Sequence, residues 1–472
     1  MTASTVKIII SAEVAERKVA LGTMEVRTDG NMDESIRQGM QSAGKVLYAS
    51  LLQEIDNAMQ KAVPDTWENV GREARQIVTC VGTIQYKRRV YKDETGRRRK
   101  LVDEIIDLEK YHRYSSSVKQ KGGYLASELP YREAADVLSW LIGDYVSHSV
   151  IGRIARQVGE SIQAEEAAQR EGPGEEIKPG QIAAKVLYGE SDGVWISLQR
   201  EEKRKAEVRV GILYTGKRTI GVGRKALENK VVVTKITKNS QEWQEILRNI
   251  AWQRYDLTKI KRLIVGGDGN AWVRQSFDLL GLPSEFVLDR YHLYREARRA
   301  FGFTSQTSAW ITQICQEGMD AALPDMYMVM SKATSHATPR MRKFIRYLVN
   351  NQDGLLDPDC RSHLETKLGN LGAIEGNVDK LVVRRLKGRG RSWRLEGAKA
   401  MLAICSHKED LKNNAFKPFV KHMAKKRGKK RRKYDPDYGE WLHAGVPALH
   451  LCHANRPWAI WLKDKIHSMR VL

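Results

Sequence analysis

Helical and alternating hydrophobic spacings follow one another along this chain in a definite order. Over residues 33–63, Ile36, Met40, Ala43, Leu47, Leu51, Ile55 and Met59 recur every three or four positions, which predicts an amphipathic helix closed by Pro64. Over 75–108 the pattern turns to β-rich runs, "IVTCVGTIQYKRRVYKD" and "KLVDEIIDL", joined by the turn residues "DETG" and crowded with basic side chains. Two helical stripes follow: Ala134, Val137, Leu138 and Leu141, then Val150, Ile154 and Val158, with Ser147 placed to cap the second helix. Residues 165–181, "EEAAQREGPGEEIKPGQ", carry Gly, Pro and charge without apolar period and predict a linker.

Beyond the linker the order reads strand, strand, strand, helix, strand, helix, strand: "AAKVLYGESDGVWISLQ", "AEVRVGILYTG", "KVVVTKIT", "SQEWQEILRNIAW", "KRLIVGGDG", "NAWVRQSFDLLG", "SEFVLDR". That order predicts an α/β fold, a mixed sheet covered by helices. The stretch 291–370 is mostly helical in pattern and interrupts the rhythm, which ends in another helix, "AIEGNVDKLVVRRLK". The predicted regions are therefore 1–74 (helical), 75–164 (β-hairpin and paired helices), a linker at 165–181, 182–290 (sheet), 291–370 (helical), 371–410 (closing helix) and 411–472 (basic).

Charge narrows the partners. Lys and Arg number 80 against 57 Asp and Glu, a net charge of +23. Such an excess fits a partner covered in phosphate, because cationic side chains that neutralise phosphates release condensed counterions. In "KKRGKKRRK", Lys425, Lys426, Arg427, Lys429, Lys430, Arg431, Arg432 and Lys433 form a run suited to gripping duplex DNA without reading its sequence. The paired helices then read as a helix-turn-helix, whose second helix would bring His148, Arg153, Arg156 and Gln157 to the major groove. An ordinary helical hairpin has the same pattern; the basic neighbourhood tips the reading toward DNA.

No apolar run approaches the ~18 residues of a membrane span, and the opening "MTASTVKIIISAEVAERK" is too short in its apolar part for a secretion signal. Cys80, Cys315, Cys360, Cys405 and Cys452 are scattered, and the His residues near Cys405 and Cys452 match no zinc spacing, so buried thiols in a reducing cytoplasm are expected.

The chemistry is read from carboxylates that interrupt apolar strands. "KRLIVGGDGNAW" lacks the third glycine of a dinucleotide fingerprint and the lysine of a Walker loop, which leaves Asp268 at the C-terminal end of a buried strand, where open α/β sheets place their ligands. Asp192, in "VLYGESDGVWI", has the same setting on the first strand. Two such carboxylates repel each other in a medium of low polarity unless a cation lies between them. A divalent metal bound by hard oxygen ligands, Mg²⁺ or alternatively Mn²⁺, resolves the repulsion and suits in-line phosphodiester chemistry. A third carboxylate is then expected, and Glu375 lies on the closing helix, with Glu365 and Glu396 as nearby alternatives.

At these residues the chain resembles a known family. "GESDGVWISLQ", "IVGGDGNAW", "FVLDRYHLYR" and "AIEGNVDKLVVRRLKGRGRSWRLEGAKAM", with "TIQYKRRVYKDETG" and "YREAADVLS" before them, are similar to the DDE transposases of bacterial insertion sequences, in the ISLre-like branch; the resemblance covers residues 75–403. It implies an RNase H-like catalytic core whose third acidic residue follows a helical insertion, with Asp192, Asp268 and Glu375 as catalytic and metal-binding residues. The "IE" context selects Glu375 over its neighbours. "DRYH" matches the family's Asp/Cys-x-x-His signature at Asp289 and His292, which implies a supporting role, although Asp289 is equally a good N-cap for the helix it precedes. Trp310 and Trp393 read as core residues rather than base-stacking ones.

The resemblance implies cleavage at element ends and strand transfer into target DNA, with assembly as a dimer or higher complex on paired ends. Two readings stand beside it: a non-catalytic helix-turn-helix regulator, and an RNase H-like nuclease without transposition.

Overall fold

A computed structural model of the chain describes residues 5–14, 17–27, 32–108, 112–171, 180–361, 371–388 and 390–413. All of the described residues fall within one compact unit, Met1–Phe419. The basic run 425–433 and almost all of the predicted 411–472 region lie outside the described residues.

The N-terminal region is not simply helical. Strands β1 (Thr5–Val14) and β2 (Arg17–Arg27) pair antiparallel ahead of helix α1 (Met32–Gln60). The β-branched run "TVKIII" accounts for the first strand, which a search for helical period passes over. Helix α1 then packs on β4 (Gly82–Lys92), the middle strand of a sheet with β3 (Glu68–Thr79) and the short β5 (Arg98–Arg99). The segment "KLVDEIIDL", expected as strand, forms helix α2 (Leu101–Ile105). Helical geometry buries two successive residues there, Val102 and Asp103, and Asp103 then accepts hydrogen bonds from Tyr86 Oη at 2.7 Å and Arg88 Nε at 2.8 Å. Much of the basic crowding on this hairpin is internally neutralised: Arg88 pairs with Asp103, Arg89 with buried Asp56, Arg99 with Glu104.

Three helices follow: α3 (Ser116–Glu128), α4 (Tyr131–Ile142) and α5 (His148–Glu171). Helix α4 ends at Gly143, whose φ of 69° is the left-handed cap that a side chain resists. Ser139 Oγ accepts from Val146 N at 2.9 Å and anchors the turn into α5, where Ser147 supplies its backbone carbonyl to Ile151 N. The expected linker begins later than 165, because α5 continues to Glu171. It does so because Ile151, Ile154, Ala155, Val158 and Ile162 bury one continuous stripe in the same apolar cluster as the central sheet. Gly159 makes the approach possible: a Cβ there would fall 2.3 Å from the Ala400 carbonyl oxygen. The paired helices are therefore part of the wall of the sheet, not a separable module.

The central sheet contains β6 (Val186–Ser197), β7 (Lys205–Tyr214), β10 (Val231–Lys235), β11 (Arg262–Gly267) and β12 (Ser284–Leu288), in the order β10-β7-β6-β11-β12. The first three strands are antiparallel neighbours, whereas β11 runs parallel to both β6 and β12. A separate hairpin of β8 (Gly216–Gly221) and β9 (Arg224–Glu228), not anticipated from the spacing, links β7 to β10. Leu187, Leu213, Leu263 and Val265 pack on one face against Trp243 and Leu247 of α6 (Ser240–Arg254). Tyr188, Val194, Val210 and Ile264 pack on the other with α5 and the closing helices. The helix expected after β11 shrinks to α7 (Ala271–Arg274) followed by a 3-10 turn.

Helices α8 (Arg290–Phe301), α9 (Ser305–Glu317), α10 (Leu323–Ser331) and α11 (Thr338–Asn350) have a core of their own, in which Trp310 is buried against Phe301 and Phe344. The closing helix is α12 (Ile374–Val378), continued without a break by a π-helical stretch, Asp379–Lys387, and followed by α13 (Leu395–Ser406). Cys405 is fully buried in α13, and burial pushes its thiol up to about 12, so it is a core residue. No helix among the described residues is long and apolar enough to cross a membrane.

Candidate active site

Three strands bring carboxylates to one level. β11 pairs with β6 through Gly266 and Glu190 and with β12 through Gly267 and Leu288; continuing the same registers sets Asp268 level with Asp192 and with Asp289. Asp289 N donates to Gly267 O at 2.8 Å and holds that end of the sheet together. Asp192 lies within β6, which continues beside β7 after β11 has stopped, and its side chain is 8% exposed.

Asp192 accepts one hydrogen bond, from Gly193 N at 2.7 Å, and forms no ion pair with Lys or Arg among the described residues. Burial pushes its carboxyl up to about 6, and the charges of Glu375 and Asp268 add to the effect; His292 and the Gly193 N–H oppose it. Glu375, in the first turn of α12, is half-buried and is also raised, first by burial and then by Asp289 and Asp268.

His292 sits between them. Its Nδ1 lies 2.9 Å from Asp289 Oδ2 and its Nε2 3.3 Å from Glu375 Oε1. Burial opposes a charge on this ring, but the hydrogen bond to Asp289 and the charge of Asp192 outweigh it, so its pKa rises. Asp289 does cap α8, its Oδ1 accepting from Tyr291 N at 3.2 Å, while its other oxygen lies against the imidazole of His292. Asp192, His292 and Glu375 each offer a ligand atom within 4.8 Å of the others.

Asp268 stands apart from this trio. Its carboxylate accepts from Asn270 N at 3.0 Å and Asn270 Nδ2 at 2.6 Å, and its backbone carbonyl accepts from Tyr347 Oη at 3.0 Å. The glycine that follows is required sterically: Gly269 has φ of 88°, and a Cβ there would meet Asn351 Oδ1 at 2.3 Å.

Glu190 escaped the reading of the sequence. It is 1% exposed, accepts from Tyr214 Oη at 2.7 Å, and receives Gly372 N at 3.0 Å and Ile374 N at 3.1 Å on its other oxygen. It thereby fastens the start of the helix that carries Glu375 to the strand that carries Asp192, at the cost of a carboxyl whose pKa burial drives upward. The signal was present in "GESDG": residues two apart on a strand share a face, so Glu190 and Asp192 point the same way.

The expected DNA-reading residues lie elsewhere on the molecule. Arg153 and Arg156 are exposed on α5, and Gln157 is half-buried with Nε2 3.4 Å from His112 Nε2. They line a cavity of about 820 Å³ together with Arg385, Arg391 and Arg394. Trp393 serves this wall structurally, donating Nε1 to Leu386 O at 2.9 Å.

Sequence relatives align with this chain over most of its length. A UPF0236 protein in the vanSb 3′ region of Streptococcus gallolyticus is 25% identical over 398 residues, 80% of this chain and 83% of its own. A UPF0236 protein of Caldanaerobacter subterraneus subsp. tengcongensis, whose name joins eleven TTE designations, is 22% identical over 374 residues, 78% of this chain and 75% of its own. Among solved structures, the Drosophila P element transposase strand transfer complex aligns with a TM-score of 0.24 and 9% identity, covering 77% of this chain and 88% of that one; a score this low does not bear on the fold. The family model described as "Uncharacterised protein family (UPF0236)" matches residues 28–415, and the chain belongs to that family.

Proposed function

We propose that this protein is a metal-dependent DNA transposase of the DDE type, cutting the ends of an insertion sequence and joining them to target DNA. The observation that carries the reading is the meeting of Asp192, His292 and Glu375 at the end of the parallel strands, with Asp192 buried and without a Lys or Arg partner among the described residues. The sheet order, three antiparallel strands followed by two parallel ones, is compatible with an RNase H-like core, and helices α8–α11 lie between Asp268 and Glu375, which fits an insertion before the third acidic residue. The eleven designations joined in one relative's name fit a gene carried by an element that copies itself, which favours transposition over a solitary nuclease.

The donor set fits a divalent cation. Two carboxylates and an imidazole converge, and the hydrogen bond to Asp289 and the charge of Asp192 raise the pKa of His292 against the effect of burial. Mg²⁺ suits the carboxylates, and Mn²⁺ accepts the imidazole as well. Bound there, such a cation would lower the pKa of a coordinated water and polarise the phosphodiester. The chain's own groups do the positioning. Asp289 holds the Nδ1 side of His292 and leaves Nε2 turned to the cluster, the usual arrangement behind a metal-ligating histidine. Glu190 keeps Glu375 in register with Asp192, and Asp268, whose carboxylate accepts from Asn270, would be a further ligand for such a cation. On this reading the partners are element ends and target duplexes, the working form is a dimer or larger assembly on DNA, and the compartment is the bacterial cytoplasm.

The test is cleavage and joining of DNA carrying the flanking inverted repeats, with Mg²⁺ or Mn²⁺, by wild type, Asp192→Asn and Glu375→Gln. End cleavage and joining by wild type alone supports the proposal. Cleavage that survives both substitutions removes the site assignment; cutting without joining leaves a nuclease, and binding without cutting under either metal leaves a regulator.

A further inference from the structure

Helix α8 carries more than His292. Its outward face presents Tyr291, Tyr294, Arg295, Arg298 and Arg299 at three- and four-residue intervals and ends in Phe303, just past the helix. Two of the rings are conspicuously bare: Tyr291 is 54% and Phe303 81% exposed. The guanidiniums lie over the rings, Arg295 at 5.8 Å from the centre of Tyr291, Arg298 at 5.5 Å from Tyr294 and 4.1 Å from Phe303. Gly302, with φ of 89°, lets the chain reverse so that Phe303 comes back under Arg298.

The same helix forms one wall of a cavity of about 640 Å³ that opens on Asp268 and His292, and Arg340 and Lys343 of α11 line the opposite wall. Across both sides of α8, five cations face two carboxylates, Asp268 and Glu296, of which Glu296 holds Arg295 at 3.2 Å and Arg299 at 2.7 Å. The stripe runs from the acid cluster outward for roughly 16 Å of helix.

We infer that the α8 face is a binding platform for unpaired DNA, holding the strand end next to the acid cluster by stacking bases on Tyr291 and Phe303 and by pairing phosphates with the arginines. Exposed rings alternating with guanidiniums suit a single strand, whose bases offer free π-faces; a duplex offers only phosphates at that distance. The burial of Asp192 points the same way, since a phosphodiester reaches a carboxylate 8% exposed more readily from a strand that has left its partner. The inference rests on the transposase reading for its biological setting, but its measurement does not.

The experiment is fluorescence anisotropy of the full chain in EDTA, with a labelled 20-nucleotide single strand and the duplex of the same sequence. Stacking losses per base imply about a fivefold or greater loss of single-strand affinity for each ring removed. Tyr291→Ala with Phe303→Ala should thus weaken the single strand by about 25-fold or more while leaving the duplex within about twofold, and Phe303→Trp should retain binding. A 2-aminopurine placed in the single strand should be quenched on wild type, which tests stacking without any variant. Unchanged single-strand affinity, an equal loss on both DNAs, an unquenched probe, or a shift in oligomeric state with binding intact would each overturn the inference; the last would make the face a contact between copies. Ring-dependent single-strand binding by a protein that cuts no DNA would remove the transposase reading and leave this one standing. Asp192-dependent cleavage with ring-independent binding would do the reverse.

Discussion

The strand-end cluster and the α4–α5 pair were built from opposite kinds of sequence signal. Asp192 and Glu190 interrupt an apolar strand, which is energetically expensive, and both are buried in the structure, Asp192 accepting from Gly193 N and Glu190 from Tyr214 Oη. The stripes of α4 and α5 are ordinary amphipathic patterns, cheap to form and compatible with many partners, and the second of them packs against α13 in the core of the sheet. A costly residue in an apolar run points to a site; a periodic stripe points only to a buried face, and says nothing of what covers it.

The sharpest test of this contrast is Asp192→Asn, for which end cleavage should fall by about a thousandfold or more while the protein stays folded. A folded variant that still cuts would show that the buried charge has another purpose. The same residue has a signature in the protein without metal. Its carboxyl, raised from 3.8 to about 6, binds protons more tightly folded than unfolded, so its contribution to stability is complete below the unfolded value and is lost as pH rises through about 6. Denaturant melts in EDTA should therefore show wild type and Asp192→Asn alike near pH 4, and the variant gaining by up to about 3 kcal/mol near pH 7.5. A gap that does not change with pH would break the account.

Glu190→Gln comes next. Its amide can satisfy Tyr214 or the backbone donors of Gly372 and Ile374, but its NH₂ must face one of them, so Glu375 loses its register. Activity and metal affinity should drop together by about 10- to 100-fold, as for groups that orient ligands; a loss of stability with metal affinity intact would reduce Glu190 to packing. For the helical region, Gly159→Ala should cost about 1–3 kcal/mol by forcing α5 away from Ala400. Unfolding should remain a single transition by circular dichroism and tryptophan fluorescence. Two separated transitions would restore α4–α5 as an independent module. The smallest effect is expected for Arg153→Ala with Arg156→Ala, both exposed: a several-fold loss of duplex affinity that shrinks as salt rises.

Much of the sheet was legible. The strand runs containing β6, β7, β10, β11 and β12 stood out by apolar β-rich composition, and the helix-rich stretch after β12 by its length. Two departures share a cause: "KLVDEIIDL" formed a helix because Asp103 found Tyr86 and Arg88, and the linker moved because α5 found α13 to pack on. In both, local spacing was ambiguous and a distant partner decided; the N-terminal hairpin differs, since β1 and β2 pair with each other and the β-branched run of β1 is a local signal. The acids tell the same story: Asp192 and Glu375 were named from context, whereas Glu190, two residues from Asp192, went unnoticed because its partners lie across the sheet and at the start of α12.

By itself, the sequence determined where the strands of the central sheet lie and that Asp192 interrupts an apolar strand at a cost that calls for compensation, because period, composition and a charge within an apolar run are local properties. Only the tertiary structure decided that Asp192 and Glu375 close on His292 while Asp268 turns to Asn270, and that the paired helices wall the sheet. Those outcomes depend on parallel registers and helix contacts between residues far apart in the chain, where one step of register or one glycine sets which side chains meet.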